Sequence, residues 1–125
     1  MKQLLIAATL LTSLGAGARE LPCSIHPNKG VADAELPALA KVTRTAAEST
    51  ALKAVNVSSA SVTSGELEAE GGCLIYSFDI QIPGQKSIIE VAVDAGTGKV
   101  LAKKHEGPKA QAAEKAADAA AAKKN

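Results

Sequence analysis

The chain has 125 residues and is nearly neutral, with 14 Lys and Arg residues against 13 Asp and Glu residues. It contains one Tyr, one Phe and no Trp. A chain of this charge and composition lacks the basic surface and the aromatic side chains through which proteins bind nucleic acid. Its length suffices for one small domain, and much of its apolar content is alanine, which limits the size of the core.

The N-terminal residues have the pattern of an export signal. A lysine precedes an apolar run at residues 4–16, and residues 16–18 (Ala-Gly-Ala) have the small-x-small pattern of a signal peptidase site. The apolar run is too short to cross a membrane unaided. We therefore predict a signal peptide at residues 1–18, cleavage between Ala18 and Arg19, and a periplasmic or secreted protein without a stable membrane anchor. A retained anchor and a buried N-terminal helix are the alternatives.

Two cysteines, Cys23 and Cys73, lie beyond the predicted signal. Outside the cytoplasm, an even number of cysteines in a small domain usually forms disulfides, and this one would close a loop of 50 residues. Free thiols and metal ligands are the alternatives. Cys23 and His26 are spaced as Cys-x-x-His, and Cys73 would complete a partial metal site that competes with the disulfide.

One helix is predicted after an irregular segment. Residues 19–41 contain three prolines, and we call them the lead-in segment. Residues 42–55 follow, and Thr43 is suited to cap the N-terminus of a helix. Small and apolar residues recur there at spacings of three and four, which predicts an amphipathic helix with a narrow buried stripe. The predicted stripe comprises Val42, Ala46, Ala47, Thr50, Ala51, Ala54 and Val55.

From Val57 onward the apolar pattern changes to a period of two, which predicts strands. Two turns are predicted, one at Gly71 and Gly72 and a two-residue type II′ turn at Gly84 and Gln85. With these turns every large apolar residue lies on one face of the sheet, whereas a shift of the strand register by one residue would not allow this. The predicted pairs are Leu67–Tyr76, Ala69–Leu74, Tyr76–Val93, Phe78–Val91 and Ile80–Ile89.

Residues 96–99 (Gly-Thr-Gly-Lys) resemble part of a phosphate-binding loop. Such a loop needs an earlier Gly where this chain has Val93, and a hydroxyl residue where it has Val100. The residues instead form a turn that sets Val93 opposite Val100. The predicted fold is therefore α+β, with one amphipathic helix packed on a four-stranded antiparallel meander.

The predicted helix and strands carry a family resemblance. The chain has an Ala-rich helix with Ala47, Ala51 and Leu52, then Tyr76 in a strand, and then a Val-Asp-x-x-Thr-Gly-x-Val turn. The turn residues are Val93, Asp94, Thr97, Gly98 and Val100. In this order the elements resemble the PepSY domain over residues 42–106.

The resemblance implies a non-catalytic binding module. PepSY domains occur in propeptides of secreted metallopeptidases and in cell-envelope proteins, and they are proposed to inhibit or regulate peptidases. It implies an unidentified protein partner of the peptidase class, no cofactor and no catalytic residues. The cysteine pair and the lead-in segment are additions to the family pattern.

The number and positions of the histidines argue against catalysis and against a four-ligand metal site. His26 and His105 are the only two, and neither lies at a recognisable catalytic spacing. The predicted register pairs His105 with Ile88 and places it roughly 26 Å from Cys73, at about 3.3 Å per residue. The two residues therefore cannot share one metal ion.

The face opposite the predicted helix is acidic. We interpret it as solvated, with a docking site for a basic partner as the alternative. Lys103 is expected to balance part of the charge, and the disulfide is expected to draw the lead-in segment across this face. The acidic residues are Glu66, Glu68, Glu70, Asp79, Glu90 and Asp94, and we expect Leu36 and Leu39 to cover Ile75, Ile88 and Leu101.

Residues 107–125 are an alanine-rich tail with Lys, Glu and Asp. Alanine favours helix, but the segment has no large apolar stripe, so we expect a frayed helix or a flexible tail.

Overall fold

The computed structural model describes residues 22–122, so the predicted signal peptide and its cleavage point at Ala18 and Arg19 lie outside the described residues. The elements in chain order are a 3₁₀ helix (Asp33–Ala38), α1 (Arg44–Val55), β1 (Ser61–Glu70), β2 (Cys73–Gln81), β3 (Ile88–Asp94), β4 (Val100–Glu106) and α2 (Pro108–Ala122). The four strands form one antiparallel sheet in chain order, and α1 packs on it. The predicted α+β class is confirmed.

Helix α1 begins where the sequence predicts. The side chain of Thr43 accepts a hydrogen bond from the Ala46 backbone N–H at 3.2 Å, which satisfies one of the free donors of the first turn. Ala47 and Ala51 are fully buried against the sheet. Ala46, which was expected in the buried stripe, is exposed. Its side chain points about 100° around the helix axis from that of the buried Ala47.

The register of the first two hairpins agrees with the prediction. All five predicted apolar pairs across β1, β2 and β3 are present. The turn between β1 and β2 is formed by Gly71 and Gly72, with φ of +56° and +79°. Two consecutive positive φ angles define the type I′ turn, whose twist matches that of the flanking strands.

The connection between β2 and β3 differs from the predicted two-residue turn. The strands are joined by residues 82–87, and the N–H of Gln85 donates to the carbonyl of Ile82 at 3.1 Å. Pro83 and Gly84 are the central residues of this turn, and Gly84 has φ of +83°. A proline suits the first central position, where its fixed φ is needed and no N–H is required, while positive φ at the second position favours glycine.

The pairing of β3 with β4 contains a β-bulge that the sequence did not predict. Val93 lies opposite Val100 as predicted, but Ala92 lies opposite Ala102, so the register shifts by one residue. Because side chains alternate along a strand, the shift reverses the faces of the later β4 residues.

The bulge exchanges the positions of two lysines. Lys103, which was expected on the acidic side, lies on the helix side, where its Nζ donates to the carbonyl of Ala54 at 3.4 Å. Lys104 lies on the face opposite α1, which we call the open face, and forms an ion pair with Glu106 at 3.1 Å.

The apolar core lies between α1 and the sheet. Leu74, Phe78, Val91 and Val93 are fully buried there, and the ring of Tyr76 stacks on that of Phe78 with 6.1 Å between centroids. Burial of each large apolar side chain contributes about 1.5–3 kcal/mol, so this cluster supplies most of the stabilisation of the sheet–helix layer.

The expectation that the lead-in segment covers the open face is wrong. Leu36 is 1% exposed and belongs to the core between α1 and the sheet, while Leu39 is 39% exposed. On the open face, Ile75 packs in a second, smaller cluster that includes Cys23 and Leu101.

The lead-in segment crosses from one face of the sheet to the other beside the start of β2. Cys23 packs in the open-face cluster, whereas Ile25 packs against the main core. The chain is held to the sheet at this crossing, because the carbonyl of Ile25 accepts the N–H of Leu74 at 3.0 Å. This crossing explains why Leu36 is on the helix side.

Helix α2 (Pro108–Ala122) lies in the alanine-rich tail. Gln111 anchors its first turn, since its Nε2 donates to the carbonyls of Glu106 at 3.0 Å and Lys86 at 3.3 Å. Ile88, which the lead-in segment was expected to cover, lines a groove beside α2 together with Gln111 and Ala112.

Candidate functional site

The predicted disulfide between Cys23 and Cys73 is present, with 5.8 Å between the two Cα atoms. It joins the lead-in segment to the first residue of β2. Cys73 is fully buried and Cys23 is half-buried. The bond therefore fixes the start of the lead-in segment on the open face of the sheet.

His26 lies beside this disulfide. Its Nδ1 is 3.7 Å from Cys23 Sγ and 3.0 Å from the carbonyl oxygen of Gly72, to which it is hydrogen-bonded. The potential ligand atoms of Cys23, His26 and Cys73 all lie within 4.8 Å of one another, and within residues 22–122 they are the only such group of His, Cys, Asp or Glu side chains. Both sulfurs, however, are consumed by the disulfide.

His105 is remote from this group, as predicted from its strand position, but its partner is different. Because of the bulge it pairs with Ile89 rather than with Ile88, and its side chain is exposed. In the part of the chain that the structure describes, neither His26 nor His105 is hydrogen-bonded to a Ser or Thr hydroxyl. The geometry does not provide a histidine-activated hydroxyl nucleophile there.

The turn between β3 and β4 is organised around the carboxylate of Asp94. This side chain is 1% exposed and accepts the Thr97 hydroxyl at 2.6 Å and the Thr97 N–H at 3.2 Å. It also accepts the N–H groups of Ser24 at 3.3 Å and Gly96 at 3.4 Å. The N–H of Gly98 closes the turn on the Asp94 carbonyl at 2.9 Å. The motif residues therefore act together to hold the turn and the lead-in segment.

The pKa of Asp94 reflects two opposing influences. Burial raises the pKa of this carboxyl group, but the hydrogen bonds from Thr97, Ser24 and Gly96 outweigh burial and hold the pKa below its usual value. Asp94 is thus an anion at neutral pH, and its charge is stabilised by donors from both the turn and the lead-in segment.

The same turn also anchors the start of α1. The carbonyl of Ala95 accepts the N–H groups of Lys41 at 2.9 Å and Val42 at 3.0 Å. The hydroxyl of Tyr76 donates to the carbonyl of Val42 at 2.7 Å. Three separate segments meet here, which makes the turn a structural junction rather than a phosphate-binding loop.

The open face carries a cluster of carboxylates that we call the acidic face: Glu66, Glu68 and Glu70 on β1 and Glu90 on β3. Glu66 and Glu70 are exposed, while Glu68 and Glu90 are half-buried. Asp94, which was expected here, is directed into its turn instead. Asp79 remains on this side of β2, opposite Glu90.

A known family matches the greater part of this fold. The family described as PepSY, peptidase propeptide and YPEB domain, matches residues 41–104, from the start of α1 through most of β4. The chain belongs to the PepSY family. No curated protein and no solved structure matches the chain significantly.

Membership of the PepSY family places the chain among peptidase-propeptide-like regulatory modules, which are generally non-catalytic. PepSY domains are typically extracytoplasmic. Across residues 22–122, no helix has both the length and the apolar character needed to span a bilayer.

Within this PepSY domain, Glu68 has an unusual pKa. Burial and then the negative charge of Glu70 raise its pKa to about 7, and Glu66 and Glu90 act in the same direction. The folded protein therefore binds a proton at Glu68 more tightly than the unfolded chain does. Stability should fall as the pH rises from about 4.5 to about 7, and should not change further through this group above that range.

Glu68→Gln tests this assignment. We expect wild-type protein to melt at a higher temperature at pH 5 than at pH 8, and the variant to lose most of that difference and to be the more stable protein at pH 8. Glu48→Gln on α1 is the matched control and should show the same difference in melting temperature between pH 5 and pH 8 as wild type. Equal pH profiles for wild type and Glu68→Gln would contradict the assignment.

Sequence reasoning identified the turn motif but not the groups that bind it. The partners of Asp94 and Ala95 are backbone N–H groups of Ser24 and Lys41 in the lead-in segment and of Val42, which follows it. Backbone donors of an irregular segment leave no residue pattern, so the sequence offers no signal for these contacts.

Proposed function

We propose that this chain is a non-catalytic extracytoplasmic PepSY module that binds a peptidase and restrains its activity. The observation that carries the proposal is the family match over residues 41–104, which spans α1 and most of the sheet. The export pattern at residues 1–18 and the disulfide support an extracytoplasmic location, since structural disulfides persist in oxidising compartments.

The acidic face is the docking surface that we assign to this partner. Glu66 and Glu70 are exposed on β1, which is an edge strand of the sheet. Mutual repulsion contributes to the raised pKa of Glu68, so a basic side chain of a partner would relieve it. A complementary partner surface is therefore rich in Lys or Arg.

The proposal is tested by adding the purified protein to an extracytoplasmic extract of the cells that produce it and measuring hydrolysis of casein. We expect hydrolysis to fall as the protein concentration rises. The double variant Glu66→Gln, Glu70→Gln should inhibit less, while the control Asp33→Asn, Glu48→Gln, with the same change in net charge, should inhibit like wild type.

The experiment distinguishes failure of the regulatory function from failure of the acidic face as the docking surface. Unchanged hydrolysis at all concentrations of wild-type protein would contradict the regulatory function. Inhibition that is equal for the two double variants would contradict only the assignment of the acidic face.

Metal carriage through Cys23, His26 and Cys73 is not the function that this structure favours. A thiolate is the form of cysteine that binds metal, and here the two sulfurs are bonded to each other.

A further inference from the structure

We propose that reduction of the Cys23–Cys73 disulfide converts its surroundings into a binding site for a borderline or soft metal cation such as Zn²⁺. The ligands would be the two cysteine thiolates and the imidazole of His26. This inference goes beyond the regulatory function, because two of the three ligands, Cys23 and His26, lie outside the PepSY match and metal binding requires no peptidase.

The spacing of the ligand atoms suits such a cation. In a tetrahedral zinc site, bonds of about 2.3 Å to sulfur and 2.0 Å to nitrogen place neighbouring ligand atoms roughly 3.5–3.8 Å apart. His26 Nδ1 donates to the Gly72 carbonyl, so Nε2 is the nitrogen free to bind a cation; it lies 4.0 Å from Cys23 Sγ, and one ligand atom of each of the three residues lies within 4.8 Å of the others. Once the disulfide is broken, the main change required is that the two sulfurs separate.

The backbone around these ligands is held independently of the disulfide. The N–H of Ser24 donates to the Asp94 carboxylate at 3.3 Å, and the carbonyl of Ile25 accepts the N–H of Leu74 at 3.0 Å. These two hydrogen bonds lie between Cys23 and His26 in the chain. They keep the lead-in segment beside β2 after reduction, so the ligands remain close.

The three ligands also have the right chemistry and an accessible side. Two thiolates and an imidazole are ligands that Zn²⁺ prefers, and a three-ligand set leaves a fourth position for water or another ligand. Cys73 is buried, but His26 is exposed and Cys23 is half-buried, so a cation can approach from the His26 side.

The reduction requires an external dithiol. Its thiolate attacks Cys23 Sγ, which is the more exposed sulfur, and Cys73 leaves as a thiolate. The second thiol of the reductant then displaces Cys23, and the reductant leaves as a disulfide after donating two electrons. Binding of one Zn²⁺ to the two cysteines releases their two thiol protons.

The experiment compares His26→Ala with His105→Ala, which removes the other histidine of the chain. Each protein is reduced with dithiothreitol, desalted without oxygen and titrated with Zn²⁺ alone, and with Co²⁺ to record thiolate-to-metal charge-transfer absorption. Melting temperatures are measured with and without Zn²⁺. The oxidised wild-type protein is titrated in parallel.

We expect the reduced wild-type and His105→Ala proteins to bind one equivalent of Zn²⁺ and to melt at a higher temperature with it. His26→Ala should bind at least about tenfold more weakly, and the oxidised protein should not bind. Equal affinity of the two histidine variants would overturn the proposal. So would a reduced wild-type protein that neither binds Zn²⁺ nor gains thermal stability from it, including one that reduction unfolds and Zn²⁺ does not restore.

Discussion

Cys23→Ala should lower the free energy of unfolding by about 4 kcal/mol, because the disulfide removes the loop-closure entropy of a 50-residue segment from the unfolded chain. For a domain of this size, the loss corresponds to a fall of roughly 20 °C in melting temperature. Cys23 is the better site for substitution, since the remaining Cys73 is fully buried and a free thiol behaves there as a small apolar side chain.

The comparison with reduced wild-type protein controls for local effects of the substitution. Wild type treated with dithiothreitol and a metal chelator should melt at the temperature of Cys23→Ala, and dithiothreitol should not change the variant. If the variant and oxidised wild type melt together, the disulfide does not stabilise the fold.

Asp94→Ala should lower the free energy of unfolding by about 3 kcal/mol, because it removes the charged acceptor of the partly buried hydrogen bonds from Thr97, Gly96 and Ser24. The loss should be accompanied by faster hydrogen exchange at the Ser24 N–H, since that amide links the lead-in segment to the turn. Asp33→Ala, on an exposed carboxylate of the 3₁₀ helix, is the control and should change stability by less than about 0.5 kcal/mol.

The acid dependence of stability gives an independent test of Asp94. The pKa of Asp94 is lower in the folded protein than in the unfolded chain. Its contribution to the free energy of unfolding is therefore complete above about pH 4 and is lost as the pH falls through the pKa of the folded state. Asp94→Asn should therefore lose less stability than wild type on acidification below pH 4. A parallel acid profile would show that Asp94 does not carry this charge-dependent stabilisation.

The strand registers were predictable because the alternation in β2 and β3 is strong. Leu74, Tyr76, Phe78 and Ile80 occupy one face, so a slip of one residue would expose all of them to solvent. The same pattern does not exist in β4. There Lys103 and Lys104 are adjacent, and either register places one lysine on each face, so the sequence could not reveal the bulge.

The path of the lead-in segment was not predictable from residue patterns. The disulfide was expected to hold the whole segment on the open face, but Leu36 is buried on the helix side. Its position follows from the backbone hydrogen bonds of Ser24 and Ile25 at the sheet end, which direct the chain around that end. Backbone hydrogen bonds can form whatever side chain a residue carries, so composition and spacing do not predict them.

These contacts give the candidate sites different roles. The disulfide and the Asp94 turn hold the lead-in segment against the PepSY fold, while the acidic face lies beside the disulfide on the open face, with Glu70 directly opposite Cys73. Stability and the recognition that we propose therefore depend on different residues. Substitutions at Glu66 and Glu70 should change binding without the stability losses expected at Cys23 and Asp94.

The central claim is most directly tested by a native mass spectrum of the protein purified from its own extracytoplasmic extract. We predict a complex with a peptidase, in which this chain begins at Arg19 and has a mass two hydrogens below that of the reduced chain. A chain that is recovered only as a free monomer, with no peptidase at any concentration tested, would contradict the claim.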